Sequence, residues 1–127
     1  MNSKLLMTFS SLVLGAAGVF VMFLPDLVLS MQGVEVTNSA SILVQMLGAF
    51  YFAFAMMNWT AKDSAIGGIY ARPVSLANFS HFFTGTLLLV NYSFQNFSLP
   101  VMAVTIVYIF FSVCFYWLVF RATGLEQ

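Results

Sequence analysis

The chain has one histidine, His81, set inside the apolar segment Val74 to Tyr92 with Asn78 one turn before it and Thr84 one turn after. An imidazole in such a setting has two possible uses. It can be a neutral hydrogen-bonding group that holds helices in register. It can also handle a proton or the polar head of a ligand, and a titratable side chain inside a membrane span is a functional candidate for that reason. A helix turns about 100° per residue. That gathers Ala77, Asn78, His81, Thr84, Gly85 and Leu88 on one side and Phe79, Phe83, Leu87 and Val90 on the other. The small, polar side is expected to face protein and the greasy side lipid.

At about 1.5 Å of rise per residue, His81 lies about 10 Å into the hydrocarbon from the end that carries the basic residues. Ser10 and Ser11, Tyr51 and Phe52, and Ser112 and Tyr116 fall at a similar depth, so a hydroxyl partner for the imidazole is at hand. The candidate lining of a semi-polar interior is therefore His81, Asn78, Thr84, Ser11, Gln45, Tyr51, Ser112 and Tyr116, with Thr8 and Thr105 on the same stripes.

Other chemistries lack their parts. A metal site needs several ligands, and no span holds a second histidine or an acid. Methionine and His81 could ligate a haem, but the methionines are scattered over lipid faces. Ser11 or Ser112 beside His81 has no carboxylate to orient the base. Cys114 is the single cysteine and can form neither an internal disulfide nor a redox pair. Asn-x-Ser/Thr sequences at Asn58, Asn78, Asn91 and Asn96 lie in or against the membrane, where glycosylation is a poor reading. A non-catalytic protein without metal or cofactor is expected.

The elements that must hold these residues are membrane helices. Of the 127 residues 61% are hydrophobic and 6% charged. Soluble domains carry about 25% charged residues, so a water-soluble globule is excluded. Four Lys+Arg balance four Asp+Glu, which leaves no basic field for nucleic acid. One transmembrane domain over residues 1–127 is expected, an all-α integral membrane four-helix bundle with spans at about 5–24, 40–60, 74–92 and 99–120. Leu5 to Leu24 is too long for the apolar core of a signal peptide.

Along the first span Thr8, Ser11, Gly15 and Gly18 form a small-residue stripe suited to close helix packing. Asp26 to Met31 reads as a short interfacial helix ended by Gln32-Gly33, and Thr37, Asn38 and Ser39 are each N-cap types for the second span. There Ser41, Gln45, Gly48, Phe52, Ala55 and Trp59 share a face, opposed by Met46, Phe50, Phe54 and Met57. Gly67-Gly68 is a flexible turn, Pro73 and Pro100 suit helix starts, and Ser93 to Ser98 is an uncharged hairpin. In the fourth span Thr105, Tyr108, Ser112 and Tyr116 align, with Cys114 pointing away.

Lys4, Lys62, Arg72 and Arg121 all fall on one side of a four-span layout, and only Asp26 and Glu35 on the other. The positive-inside rule then places both termini and the Gly67-Gly68 connection in the cytoplasm.

Several small membrane families are disfavoured by what is missing. No span holds the glutamate of a small proton-coupled multidrug transporter, and the paired cysteines of a vitamin-K-epoxide-reductase-like enzyme are absent. Arg72 and Asn78 hint at a membrane glutathione transferase, but Ser80 or Phe82 stands where that pattern has an acid. The four-span layout, Leu47-Gly48-Ala49-Phe50-Tyr51-Phe52-Ala53-Phe54-Ala55, the basic turn with Gly67-Gly68, and Asn78 through Gly85 resemble the small bacterial proteins around DoxX. The resemblance implies a four-helix fold in the bacterial inner membrane and carries over no active site. Two functions are expected to suit such a chain. The first is a non-catalytic accessory or interaction subunit, partnered by the bilayer and by other membrane subunits or copies of itself. The second is binding or transport of a small apolar molecule, a lipid or quinone, around His81.

Overall fold

Proline, glycine and threonine set the helix ends. The computed structural model describes residues 2–64 and 71–121, the last by its backbone, and every element among them is helical. The helices are α1 (Ser3–Phe23), α2 (Pro25–Met31), α3 (Asn38–Ala61), α4 (Arg72–Gln95) and α5 (Leu99–Arg121). Pro25 lacks an N–H and disfavours helical backbone before it, so α1 stops at Phe23 and the proline opens α2. Gly33, at φ +67°, ends α2. Its N–H donates to the Ser30 carbonyl at 3.1 Å and that of Val34 to the Leu29 carbonyl at 3.0 Å, the paired bonds of a Schellman motif. Thr37 caps α3, its hydroxyl accepting from the Ala40 N–H at 3.1 Å. The expected Gly67-Gly68 turn lies outside the described residues.

α1, α3, α4 and α5 are each long and apolar enough to cross a membrane. Twenty-four residues, as in α3 and α4, span about 36 Å against a hydrocarbon core of about 30 Å. α4 overruns its expected end by three residues, since Ser93 to Gln95 continue the helix and the turn to α5 shortens to Asn96 through Ser98.

The chain divides into two compact units, Met7–Lys62 and Met1–Leu6 with Asp63–Gln127. In the first, the small stripe of α1 packs on α3 as its spacing implies. A Cβ on Gly18 would lie 2.7 Å from the Phe52 nitrogen and 2.8 Å from the Gly48 oxygen; one on Gly48 would lie 2.6 Å from the Met22 nitrogen and 2.8 Å from the Gly18 oxygen. Backbone meets backbone there, and only glycine at both positions permits it. Ser11 extends the seam by donating to the Ala55 carbonyl at 2.9 Å, and Ser41 donates to Asp26 of α2 at 2.6 Å.

In the second unit α4 packs on α5. The buried positions of α5 include Val101, Thr105, Tyr108, Ser112, Phe115 and Val119, alternating steps of four and three. That is the spacing of a 3.5-residue seam, as in interlocking paired helices. Phe82 of α4 is fully buried against it, stacked on Phe111 at 4.8 Å and on Phe115 at 5.7 Å.

This seam moves two expected interior residues. Thr84 and Tyr116 are exposed, not inside. α4 buries Ser75, Asn78 and Phe82, a stripe turned about 100° from the one through Ala77, His81 and Thr84. A phenyl ring removes far more apolar area from solvent than a threonine, so Phe82 takes the inward position. In α5 a step of four from Ser112 gives Tyr116, but the seam repeats every 3.5 residues and selects Phe115. On α3, Phe52 and Trp59 are likewise exposed, while Ser41, Gln45, Gly48 and Ala55 of the same expected face are buried or half-buried.

Candidate functional site

Two polar clusters are built into the long apolar helices, one in each unit. The first-unit cluster joins α1 to the last turns of α3. Asn58 is fully buried, and its amide donates to the Ser10 hydroxyl at 3.0 Å, which in turn donates to the Met7 carbonyl at 3.0 Å. Near the other end of the seam the Gln45 amide donates to the Met22 carbonyl at 3.3 Å. Tyr51 is half-buried between these levels. Beyond Asn58, the Lys62 ammonium lies 3.0 Å from the centre of the Trp59 ring, a cation–π contact at the basic end of the helix.

The second-unit cluster centres on His81. Its Nε2 and the Tyr108 hydroxyl are 3.1 Å apart, and the ring tautomer decides which of them donates. Gly85, one turn beyond His81, makes this pair possible. A Cβ there would fall 2.6 Å from Cδ1 of Tyr108, so the phenol ring lies against bare backbone and reaches the imidazole. His81 is half-buried and Tyr108 buried, with Phe82 edge-on to both at 5.0 and 5.3 Å. Asn78, fully buried, donates to the Val74 carbonyl of its own helix at 2.9 Å. Toward the α4–α5 turn the hydroxyls of Ser93 and Thr105 meet at 2.9 Å. Ser112 is buried in the seam, and Thr86 carries a buried hydroxyl without a partner.

His81, Asn78 and Ser112 thus lie in or beside the α4–α5 seam; Thr84 is exposed, and exposed Tyr116 sits at the rim of the seam with its ring 5.9 Å from that of Phe79. Ser11, Gln45 and Tyr51 belong to the first unit. Tyr108 and Asn58 are among the cluster residues that had no place among the candidates. Tyr108 was legible on the Thr105–Ser112 stripe, but depth counted between Cα atoms favours Ser112 and overlooks the reach of a phenol laid along a glycine. Asn58 stands near the end of its span, where it reads as an interfacial residue; its signal was the three-residue step from Ala55 on the packed face.

The arrangement can do limited chemistry. A histidine–tyrosine pair can exchange a hydrogen bond or present one to a ligand's oxygen. Among the described residues no three His, Cys, Asp or Glu side chains come together as metal ligands. No protein-family model, no curated protein and no solved structure matches the chain.

Proposed function

We propose that this is a multi-pass membrane protein acting as a non-catalytic accessory subunit, docking on other membrane subunits through exposed helix faces. The observation that carries this reading is the outer face of α3. Only 11% of its most apolar stretch is buried within the chain, against 39% for α5. The uncovered side is not a uniform lipid-facing surface of large aliphatic residues. Ala49 and Ala53, one turn apart and exposed, lie among exposed Met46, Phe50 and Met56. Small residues one turn apart let another helix approach, and methionine adapts its shape to a partner.

The placement belongs to the same proposal. The chain lies in the bacterial inner membrane as a four-helix bundle with both termini and the connection between α3 and α4 cytoplasmic. The one-sided Lys4, Lys62, Arg72 and Arg121 support this orientation. The resemblance to the DoxX group supports the location.

One observation favours a second reading. The His81–Tyr108 pair at 3.1 Å is a polar group within a span, suited to a quinone or lipid carbonyl. Purification of the tagged chain in a mild detergent separates the two. Larger membrane subunits recovered in fixed proportion support docking; a lone chain carrying lipid or quinone refutes it in favour of ligand binding.

A further inference from the structure

The turn between α4 and α5 carries the three most exposed large apolar side chains among the described residues: Phe94 at 86%, Leu99 at 81% and Phe97 at 78%. Gln95, Asn96 and Ser98 lie between them, and no Asp, Glu, Lys or Arg stands anywhere from Pro73 to Phe120. The turn is tied by its own bonds. The Asn96 N–H donates to the Tyr92 carbonyl and the Met102 N–H to the Ser98 carbonyl, each at 2.9 Å. Two media suit such a tip poorly. Water is unfavourable for two phenyl rings and a leucine gathered with no charge beside them. The hydrocarbon core is unfavourable for an open turn and its side-chain amides, because nothing there hydrogen-bonds to them. Depth gives the same answer. With Arg72 at one edge of the hydrocarbon, the 24 residues of α4 reach about 36 Å and pass a core of about 30 Å by about 6 Å. The headgroup layer on each side is about 5–7 Å thick, so the tip ends inside it. Exposed Tyr92, two residues before Phe94, then falls at the level of the aromatic belt.

We propose that this tip is a lipid-docking surface: Phe94, Phe97 and Leu99 seat at the boundary between acyl chains and headgroups, and Gln95 and Asn96 hydrogen-bond headgroup oxygens. Phospholipid is the occupant that depth and composition fit. Its acyl chains take the rings, its ester and phosphate oxygens accept from the amides, and a tip without charge asks for no particular headgroup. Held there, the tip fixes how far α4 and α5 sit in the bilayer, as Arg72 does at the opposite end. The inference rests on the membrane reading above and goes beyond it in assigning the turn to the headgroup layer and not to water.

The test is quenching of a single tryptophan in phosphatidylcholine vesicles. In a W59F/W117F background, F94W and F97W are compared with F110W, an exposed position at the middle of α5. F94W and F97W are expected to be quenched more by a nitroxide on the headgroup than by bromine deep in the acyl chains, and little by aqueous iodide. F110W should show the reverse order of the two lipid quenchers. Iodide quenching of F94W and F97W as strong as that of free tryptophan overturns the proposal, and so does stronger quenching by the deep bromine. If iodide quenches F110W as well, the membrane reading itself has failed. A second measurement keeps both native tryptophans: a Phe97→benzoylphenylalanine chain is irradiated in native membranes. An adduct of the chain with phospholipid is expected. A chain without that adduct, whether free or crosslinked to protein, overturns the proposal.

Discussion

The crossing of α1 and α3 allows a sharp prediction because three glycines and alanine-sized neighbours give different answers along one seam. In Gly18→Ala the new methyl would sit 2.7 Å from the Phe52 nitrogen and 2.8 Å from the Gly48 oxygen, and in Gly48→Ala 2.6 Å from the Met22 nitrogen and 2.8 Å from the Gly18 oxygen. These obstacles are backbone atoms and cannot rotate away, so the helices must separate by most of an ångström. Overpacking of this kind costs about 1–3 kcal/mol. The internal control is Gly15→Ala, whose methyl would meet the Ala55 Cβ at 3.5 Å, an ordinary contact. Alanine improves helix propensity by up to about 1 kcal/mol, so that variant should be neutral or more stable. Separation should also weaken the bond from Ser11 to the Ala55 carbonyl. Once one substitution has moved the helices apart, the second costs less, and the G18A/G48A double variant should lose less than the sum of the singles. Unfolding in mixed micelles with increasing denaturing detergent, followed by circular dichroism, measures all four. The reasoning fails if G18A and G48A are as stable as G15A, or if their costs simply add.

Further outcomes follow from the same structure. Tyr108→Phe should fold normally and lose about 0.6 kcal/mol, the average of an interhelical hydrogen bond in a membrane. In a Gly85→Ala background, where the methyl displaces the ring, it should lose almost nothing, and a double-mutant cycle read by detergent unfolding checks the coupling. His81→Gln keeps a donor and an acceptor and should accumulate and function as wild type does; a stable, normally abundant H81Q that fails the wild-type role in cells would place His81 at a ligand or proton site. Gly33→Ala meets no atom within 4 Å, so its cost of about 1 kcal/mol should come from the left-handed backbone alone, and Gly33→Asn should recover part of it in the same assay. A cysteine near Gly68 should be shielded from an impermeant reagent in intact cells and one at Asn96 labelled; the reverse pattern inverts the orientation.

The helices were legible where the cause is local. Pro25, Gly33 and Thr37 act through their own backbone or hydroxyl, and the ends they set are those the residue types imply. The small stripe on α1 was legible too, because glycines at Gly15 and Gly18 have little use in a span other than close packing. Facing was harder to read. Polar periodicity placed Thr84 and Tyr116 inside, yet the α4–α5 seam is decided by Phe82, Phe111 and Phe115, whose buried area outweighs a hydroxyl. In a span where almost every residue is apolar, polarity marks the inner face poorly and bulk together with the 3.5-residue period marks it better. The partner of His81 escaped for a different reason. It depends on a side chain lying along a glycine of the neighbouring helix, which no single-helix wheel contains.

The most direct measurement of the subunit reading is the mass of the particle released from native membranes by native mass spectrometry. The chain alone has a mass of 14.1 kDa. A membrane subunit that docks through the outer face of α3 should be ejected in assemblies containing more than one polypeptide, the smallest of them a multiple of that mass or that mass plus a partner's. A single 14.1 kDa chain carrying only a small apolar molecule would contradict it.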